Sequence, residues 1–254
     1  MGQFDSKTVI VTGAGTGIGF AVAKRFYLEG ANVVLSGRRE QVLRDAASQI
    51  AAGTERMLLV PADIASEADV RNLVDETVKW TSRVDVLINN AAAMRINKPP
   101  EETTVDEWRS VLDTNVTGAW LCCREAGKVM IGQQAGKIVN IASISGYVVN
   151  KYFHGGSYEV SKAALMMLTK TLATEWAQYN IAVNAVAPGY YDTQPNRDFF
   201  AQEADLYQRV LDLIPLRRLG NLEELTDLVL MLASDTANYI TGSTITIDGG
   251  YTLW

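Results

Sequence analysis

Short apolar runs alternate with helix-spaced segments along almost the whole chain. Residues 8–11 (Thr-Val-Ile-Val) form a β-rich run that meets a glycine-rich turn at once. Apolar spacing then predicts a helix over 18–28, with Gly30 placed as its C-cap. A second strand is predicted over 31–36, a helix over 40–52 ending near Gly53, and a third strand over 57–61. Further helices are predicted over 68–80, 105–129 and 157–179, and further strands over 84–88, 137–141, 181–186 and 244–247. Strands separated by helices build parallel sheets, and runs as apolar as 84–88 fit burial on both faces. The pattern predicts an α/β fold. It is a Rossmann-like, doubly wound parallel sheet with helices on both faces, spanning 1–254 as one domain. The least regular stretch, 188–219, reads as a substrate loop, since long irregular segments in compact domains are usually lids or binding loops.

Composition narrows the chemistry. A chain of 254 residues buries roughly three-quarters of its unfolded surface and needs no metal or disulfide staple. Its two cysteines, Cys122 and Cys123, are adjacent, which suits neither a bridge nor a structural zinc cluster. His154 is the only imidazole, so a His-rich zinc site is excluded and a Ser-His-Asp hydrolase would depend on that one residue. The net charge of −6 argues against a nucleic-acid partner. No signal-peptide pattern is read, and no apolar run approaches the ~20 residues of a membrane span. Free thiols with these absences make the cytoplasm the expected compartment, with no membrane partner.

Two constellations carry chemistry. The turn Thr12-Gly13-Ala14-Gly15-Thr16-Gly17-Ile18-Gly19 lies between a strand and a helix, where glycines let backbone approach a pyrophosphate held by the helix N-terminus. No Gly-Lys-Ser/Thr follows, which disfavours a P-loop nucleotidase. The second strand ends Leu35-Ser36-Gly37-Arg38-Arg39, without the acid that would bind the ribose hydroxyls of NAD. Arg38 is placed to pair with a 2′-phosphate, so NADP is favoured and NAD remains possible; the bland reading leaves both arginines solvated at a helix start. Farther on, Tyr158 and Lys162 stand at i and i+4, one helical turn apart. A nearby cation favours the phenolate and so brings a tyrosine into the range of a general base.

Taken together and in order, these motifs resemble the short-chain dehydrogenase/reductase family over nearly the whole chain. The resemblance implies cofactor contacts at Gly13, Thr16, Gly17, Ile18, Gly19 and Arg38. It adds Asp63 and Ile64 after the third strand, and Asn89 in Asn89-Asn90-Ala91-Ala92, where Ala92 departs from the family's glycine. Pro188, Gly189 and Thr193 resemble the nicotinamide-side segment, and Ile247-Asp248-Gly249-Gly250 the C-terminal signature. It also implies a catalytic set of Asn115, Ser143, Tyr158 and Lys162, with Tyr158 and Lys162 doubling as cofactor contacts. Ser143 is chosen on the motif Ser143-Ile144-Ser145-Gly146; the family's usual separation from the tyrosine would select Ser145 instead. In the implied reaction Tyr158 moves the hydroxyl proton, Ser143 donates to the developing alkoxide, Lys162 lowers the phenol's pKa and Asn115 keeps a relay water.

Substrate contacts are expected from Arg95, Ser143, His154 and Tyr191, a polar and cationic set that suggests a hydrophilic, polyhydroxylated small molecule, neutral or anionic. The chain also resembles bacterial sugar and sugar-acid dehydrogenases of the gluconate 5-dehydrogenase type. Two alternatives are a 3-oxoacyl-[acyl-carrier-protein] reductase and, more distantly, a noncatalytic nucleotide-binding regulator. Many members of the family are tetramers, and Trp254 with the apolar faces of 105–129 and 157–179 leads to the expectation of a homotetramer.

Overall fold

The computed structural model of the chain describes residues 2–51, 53 and 55–254. Seven strands make one sheet: β1 (Thr8–Thr12), β2 (Asn32–Gly37), β3 (Met57–Pro61), β4 (Val86–Asn89), β5 (Gly136–Ile141), β6 (Ile181–Pro188) and β7 (Thr244–Ile247). Their order is β3-β2-β1-β4-β5-β6-β7, and every neighbouring pair is parallel. The chain starts at β1, winds out to β3, then returns to place β4 on the other side of β1. That reversal opens a crevice beyond the carboxyl ends of β1 and β4, where doubly wound folds bind ligands.

The helices are α1 (Gly17–Leu28), α2 (Glu40–Ile50), α3 (Glu67–Thr81), α4 (Val105–Leu112), α5 (Ala119–Gln133), α6 (Ser157–Trp176), α7 (Gln194–Gln202), α8 (Ala204–Leu213) and α9 (Leu222–Ala233). Strand side chains alternate between two faces. Val9 and Val11 of β1 join a core with Phe26 of α1, Leu43 of α2 and Leu225 and Val229 of α9. Ile10 faces the opposite core with Leu73 of α3, Met130 of α5 and Leu172 of α6. Burial on both faces explains the nearly unbroken apolar strands, and each fully buried large side chain contributes roughly 1.5–3 kcal/mol.

Three elements differ from the pattern-based expectation. The single helix predicted over 105–129 is broken by a π-helical turn, Asp113–Gly118, between α4 and α5. The stretch 188–219, read as irregular, contains α7 and α8, whose apolar side chains build a small separate core around Phe200, Val210, Ile214 and Tyr251. Helix α9 was not predicted, although Asn221 and Glu224 mark its start: the Asn221 N–H donates to Glu224 Oε2 at 2.9 Å. Elsewhere the expected elements form within a residue or two, apart from the end of the predicted 157–179 helix, which closes as a 3₁₀ turn, Ala177–Tyr179. Ala52, the last residue of the predicted 40–52 helix, lies outside the described residues.

Candidate active site

A cavity of about 640 Å³ runs across the carboxyl ends of the strands. At one end the turn after β1 is stapled to the end of β4. Thr12 Oγ1 donates to the Ile88 carbonyl at 3.3 Å and accepts from the Asn90 and Ala91 N–H groups at 3.0 and 3.1 Å. Asn90 Nδ2 donates back to the Thr12 and Gly13 carbonyls at 3.0 and 3.2 Å. Gly13 has φ 65°, and a Cβ there would fall 2.8 Å from Asn90 Nδ2, so the close approach requires glycine.

This end fits a dinucleotide. Thr16 makes no side-chain capping bond to α1, the first turn of α1 holds no acid, and Gly17 leaves open space beside it. Free N–H groups and the positive end of the helix dipole suit a pyrophosphate. Gly13, Thr16, Gly17, Ile18, Arg38, Asp63 and Ile64 line the cavity, and Arg39 lines it beside Arg38. Two expected contacts, Gly19 and Asn89, do not line the cavity. Gly19 is packed beneath the turn against the Gly13 carbonyl rather than lining the cavity. Asn89 faces the core, where its Nδ2 donates to Asn140 Oδ1 at 2.9 Å and to the Ala119 carbonyl; Asn90 takes the place at the cavity. The cause is the two-residue period of β4, which sends neighbouring side chains to opposite sides.

At the centre, Ser143, Tyr158 and Lys162 converge. Ser143 caps the 3₁₀ turn Ile144–Gly146 after β5, its Oγ accepting from the Ser145 N–H at 3.1 Å. Tyr158 and Lys162 share the cavity face of α6, and Lys162 Nζ stands 5.6 Å from the Tyr158 ring centroid. Lys162 is buried; desolvation drives its ammonium down to about 8, and Nζ donates to the Ile141 carbonyl at 2.8 Å. Burial pushes the Tyr158 phenol above its ordinary value, opposed by its hydrogen bond with Ser143 and by the Arg95 charge, while Glu159 adds to the rise. Desolvation of the ring is the larger effect in this site.

Asn115 lies in the π turn and is buried away from the cavity. Its Oδ1 accepts from the Ala93 N–H at 2.7 Å, and its Nδ2 donates to the Ala93 carbonyl at 3.1 Å and to Ser161 Oγ at 3.0 Å. Ser161 in turn donates to the Tyr158 carbonyl at 2.7 Å. The Asn115 side chain thus fastens the loop after β4 to the helix turn that carries the tyrosine. This is a positioning arrangement, and its amide has no hydrogen bond directed into the cavity.

The remaining wall mixes aromatic and polar groups. Pro188, Gly189 and Thr193 line the cavity, and Thr193 also caps α7. Arg95 and Tyr191 line it, but the Tyr191 hydroxyl is already donated to the Ile247 carbonyl at 3.2 Å. His154 is corrected: it is exposed outside the cavity, held through its backbone N–H to Asn97 Oδ1 at 2.9 Å. Ser145, the alternative to Ser143, lines the cavity with Asn150, and so do Phe153, Tyr190, Phe199 and Phe200, which the sequence does not single out. Loop and lid residues of this kind carry no periodic signal, so only the folded path of 144–156 and 190–200 gathers them. Cys122 and Cys123 are buried in α5, where desolvation raises both thiols, Cys123 to about 12.

The chain resembles known oxidoreductases over its full length. A family model described as enoyl-(acyl carrier protein) reductase matches residues 13–252. Galactitol 2-dehydrogenase (L-tagatose-forming) of Cereibacter sphaeroides is 35% identical over 252 residues, covering 99% of this chain and 97% of that protein. A 3-oxoacyl-[acyl-carrier-protein] reductase of Synechocystis sp. is 34% identical over 256 residues, covering all of both chains. Among solved structures, a short-chain type dehydrogenase/reductase from Mycobacterium marinum superposes with a TM-score of 0.91 at 36% identity, covering 98% of this chain and 97% of that one.

Proposed function

The chain belongs to the short-chain dehydrogenase/reductase family of oxidoreductases, and on that premise we propose that it interconverts a secondary alcohol and a ketone on a sugar, sugar acid or polyol. The observation that carries this reading is the single cavity in which the dinucleotide end, the Ser143–Tyr158–Lys162 group and the polar side chains Arg95, Ser145 and Asn150 meet. A bound nicotinamide dinucleotide supplies the hydride exchange. The protein's own residues manage the proton and the geometry. Tyr158 takes the hydroxyl proton in the oxidative direction and returns it in the reductive one. Ser143 donates to the oxygen on which charge develops, an arrangement worth a few kcal/mol in comparable oxyanion sites. Lys162, held against the Ile141 carbonyl, lines the same cavity 5.6 Å from the Tyr158 ring centroid and supplies the positive charge that a phenolate needs when the site is filled. Asn115 positions the loop after β4 against α6.

NADP is the favoured dinucleotide. Arg38 and Arg39 are exposed at the cavity's far end, and β2 closes on Gly37 without an acid. A guanidinium there pairs with a 2′-phosphate. Arg38→Ala should raise KM for NADP about tenfold or more and leave KM for NAD little changed; an NAD preference untouched by the substitution would count against NADP. The class of substrate is tested by an NAD- and NADP-linked screen of aldoses, aldonates and polyols. Tyr158→Phe should nearly abolish turnover while dinucleotide binding, followed by fluorescence, persists.

A second reading, reduction of a 3-oxoacyl thioester, draws support from the Synechocystis relative. Activity confined to such thioesters would establish it in place of the first. The wall of Arg95, Ser145 and Asn150 favours the hydrophilic substrate.

A further inference from the structure

Arg95 is the cation nearest the reacting centre besides Lys162, and its surroundings define what it can bind. Its guanidinium carbon lies 5.5 Å from the Tyr158 ring centroid and 5.2 Å from that of Phe153. Nη2 donates to Ser145 Oγ at 3.0 Å and lies 2.5 Å from Glu159 Oε1 in an ion pair, although that oxygen accepts no hydrogen bond. The Glu159 side chain is 9% exposed and that of Arg95 15%. Glu159 is held in turn, its Oε2 accepting from the Gly156 N–H at 2.9 Å. Asn150 Nδ2 donates to the same Ser145 Oγ at 2.6 Å. Among the described residues Nη1 of Arg95 has no protein partner, and it is not sealed from solvent as Nε is.

Arg95 lines the cavity and Glu159 does not. The pair therefore presents the donor end of a neutral dipole to the substrate instead of a free positive charge. A substrate hydroxyl or carbonyl oxygen can accept from Nη1 without disturbing it. A substrate carboxylate would bring a negative charge towards a guanidinium already neutralised by Glu159, with that carboxylate close behind it. The cation buried at the site, Lys162, is turned to the Ile141 carbonyl. Phe153, Phe199 and Phe200 add apolar faces suited to the C–H surfaces of a sugar chain.

Building on the sugar and polyol reading above, we infer that Arg95 is a specificity residue that donates to an uncharged oxygen near the reacting carbon, and that Glu159 excludes substrate carboxylates by neutralising it. The substrate is then a polyol or neutral sugar, not a sugar acid.

The test measures kcat/KM with NAD and NADP for galactitol and glucitol and for the carboxylates galactonate and gluconate, on the wild type and on Glu159→Gln. The expected result is a wild-type preference for the alditols of about tenfold or more, reduced by about tenfold in Glu159→Gln, where the guanidinium charge is left unbalanced. Dinucleotide binding by Glu159→Gln, read by fluorescence, reports whether the variant keeps its fold; if it does not, the wild-type ratio alone decides. A wild type that prefers the aldonates overturns the inference and leaves the broader sugar reading standing. An unchanged ratio in a folded Glu159→Gln also overturns it. Turnover of none of the four compounds, with activity on 3-oxoacyl thioesters or apolar ketones, overturns the sugar reading and this inference together.

Discussion

Tyr158 sits among groups that pull its proton in opposite directions. Ser143 and Arg95 favour the phenolate, while burial and Glu159 oppose it; Lys162 stands one turn along α6, and burial pushes its ammonium down to about 8. If Tyr158 is the general base for alcohol oxidation, kcat/KM rises with pH as the phenol ionises. Arg95→Gln should then move that limb to higher pH and Glu159→Gln to lower pH, each by roughly half a pH unit or more, with the double variant returning toward the wild type. Profiles that shift in the same direction, or not at all, would show that the pair acts by packing alone. Lys162 also has a cost in stability. Its folded pKa lies below the ordinary lysine value, so between about 8 and 10.5 the unfolded chain binds the extra proton and stability rises with pH. Lys162→Met should therefore unfold at a higher temperature than the wild type at pH 7, by a few kcal/mol offset by about 1 for the Ile141 carbonyl left without its donor. Thermal scans at pH 7 and pH 10.5 would show that gain shrinking as pH rises. At this scale the sequence was most informative where spacing forces proximity. Tyr158 and Lys162 are neighbours because α6 makes them so, and the glycines follow from the turn. It was least informative one residue from a strand end, where Asn89 and Asn90 swap roles with the pleat, and in the 147–156 loop, where nothing in the spacing tells His154 from Asn150.

Among the elements, the π turn is the one most closely tied to the site. It interrupts what the pattern predicts as one helix, and π turns inside helices recur at functional sites because they displace the backbone ladder. Here the displacement brings Asn115 against both Ala93 and Ser161, joining the loop after β4 to α6. Asn115→Ala removes three hydrogen bonds, the buried one to Ser161 and two partly buried ones to the Ala93 backbone, a loss of about 1–3 kcal/mol. The expected outcome is a lower denaturant midpoint with an unchanged slope, together with a lower kcat as Tyr158 loses its register. A midpoint shift without any change in kcat would confine Asn115 to a structural role. The apolar period could not reveal this turn, since one extra residue in a ladder leaves the hydrophobic stripe nearly intact. Helices α7 and α8 escaped for a different reason: they are short, rich in Asn, Asp and Gln, and stabilised by the small core they share with Tyr190 and Tyr251 more than by local propensity. Helix α9 did carry its signal, an Asn221–Glu224 start followed by Leu225, Val229 and Leu232 at helical spacing.

The whole molecule leaves apolar surface where two long helices face outward. Val105 and Trp108 of α4, Trp120 of α5, and Val160 and Met167 of α6 are exposed, and α4 packs on α6, so these side chains lie on adjoining elements. Sheet edge β7 is followed by Leu253 and Trp254, both more than three-quarters exposed, with the Trp254 indole donating to the Leu213 carbonyl at 3.2 Å. Scattered apolar residues on a monomer need no explanation, but a large aromatic and aliphatic set on neighbouring helices is the mark of an interface. One surface lies on α4–α6 and the other follows β7, and two isologous contacts are what a tetramer of dihedral symmetry requires. A homotetramer is thus the assembly we propose. Sedimentation equilibrium should return four chains per particle at micromolar concentration. Val160→Glu with Met167→Glu should halve that mass by placing charge on the α6 face, and removal of Leu253 and Trp254 should halve it independently through the other contact. A wild type that sediments as a monomer would refute the assembly. Because α6 also carries Tyr158 and Lys162, the halves produced by the α6 substitutions should lose activity beyond their loss of mass, whereas those produced at the β7 edge should keep the geometry of α6 and most of their turnover.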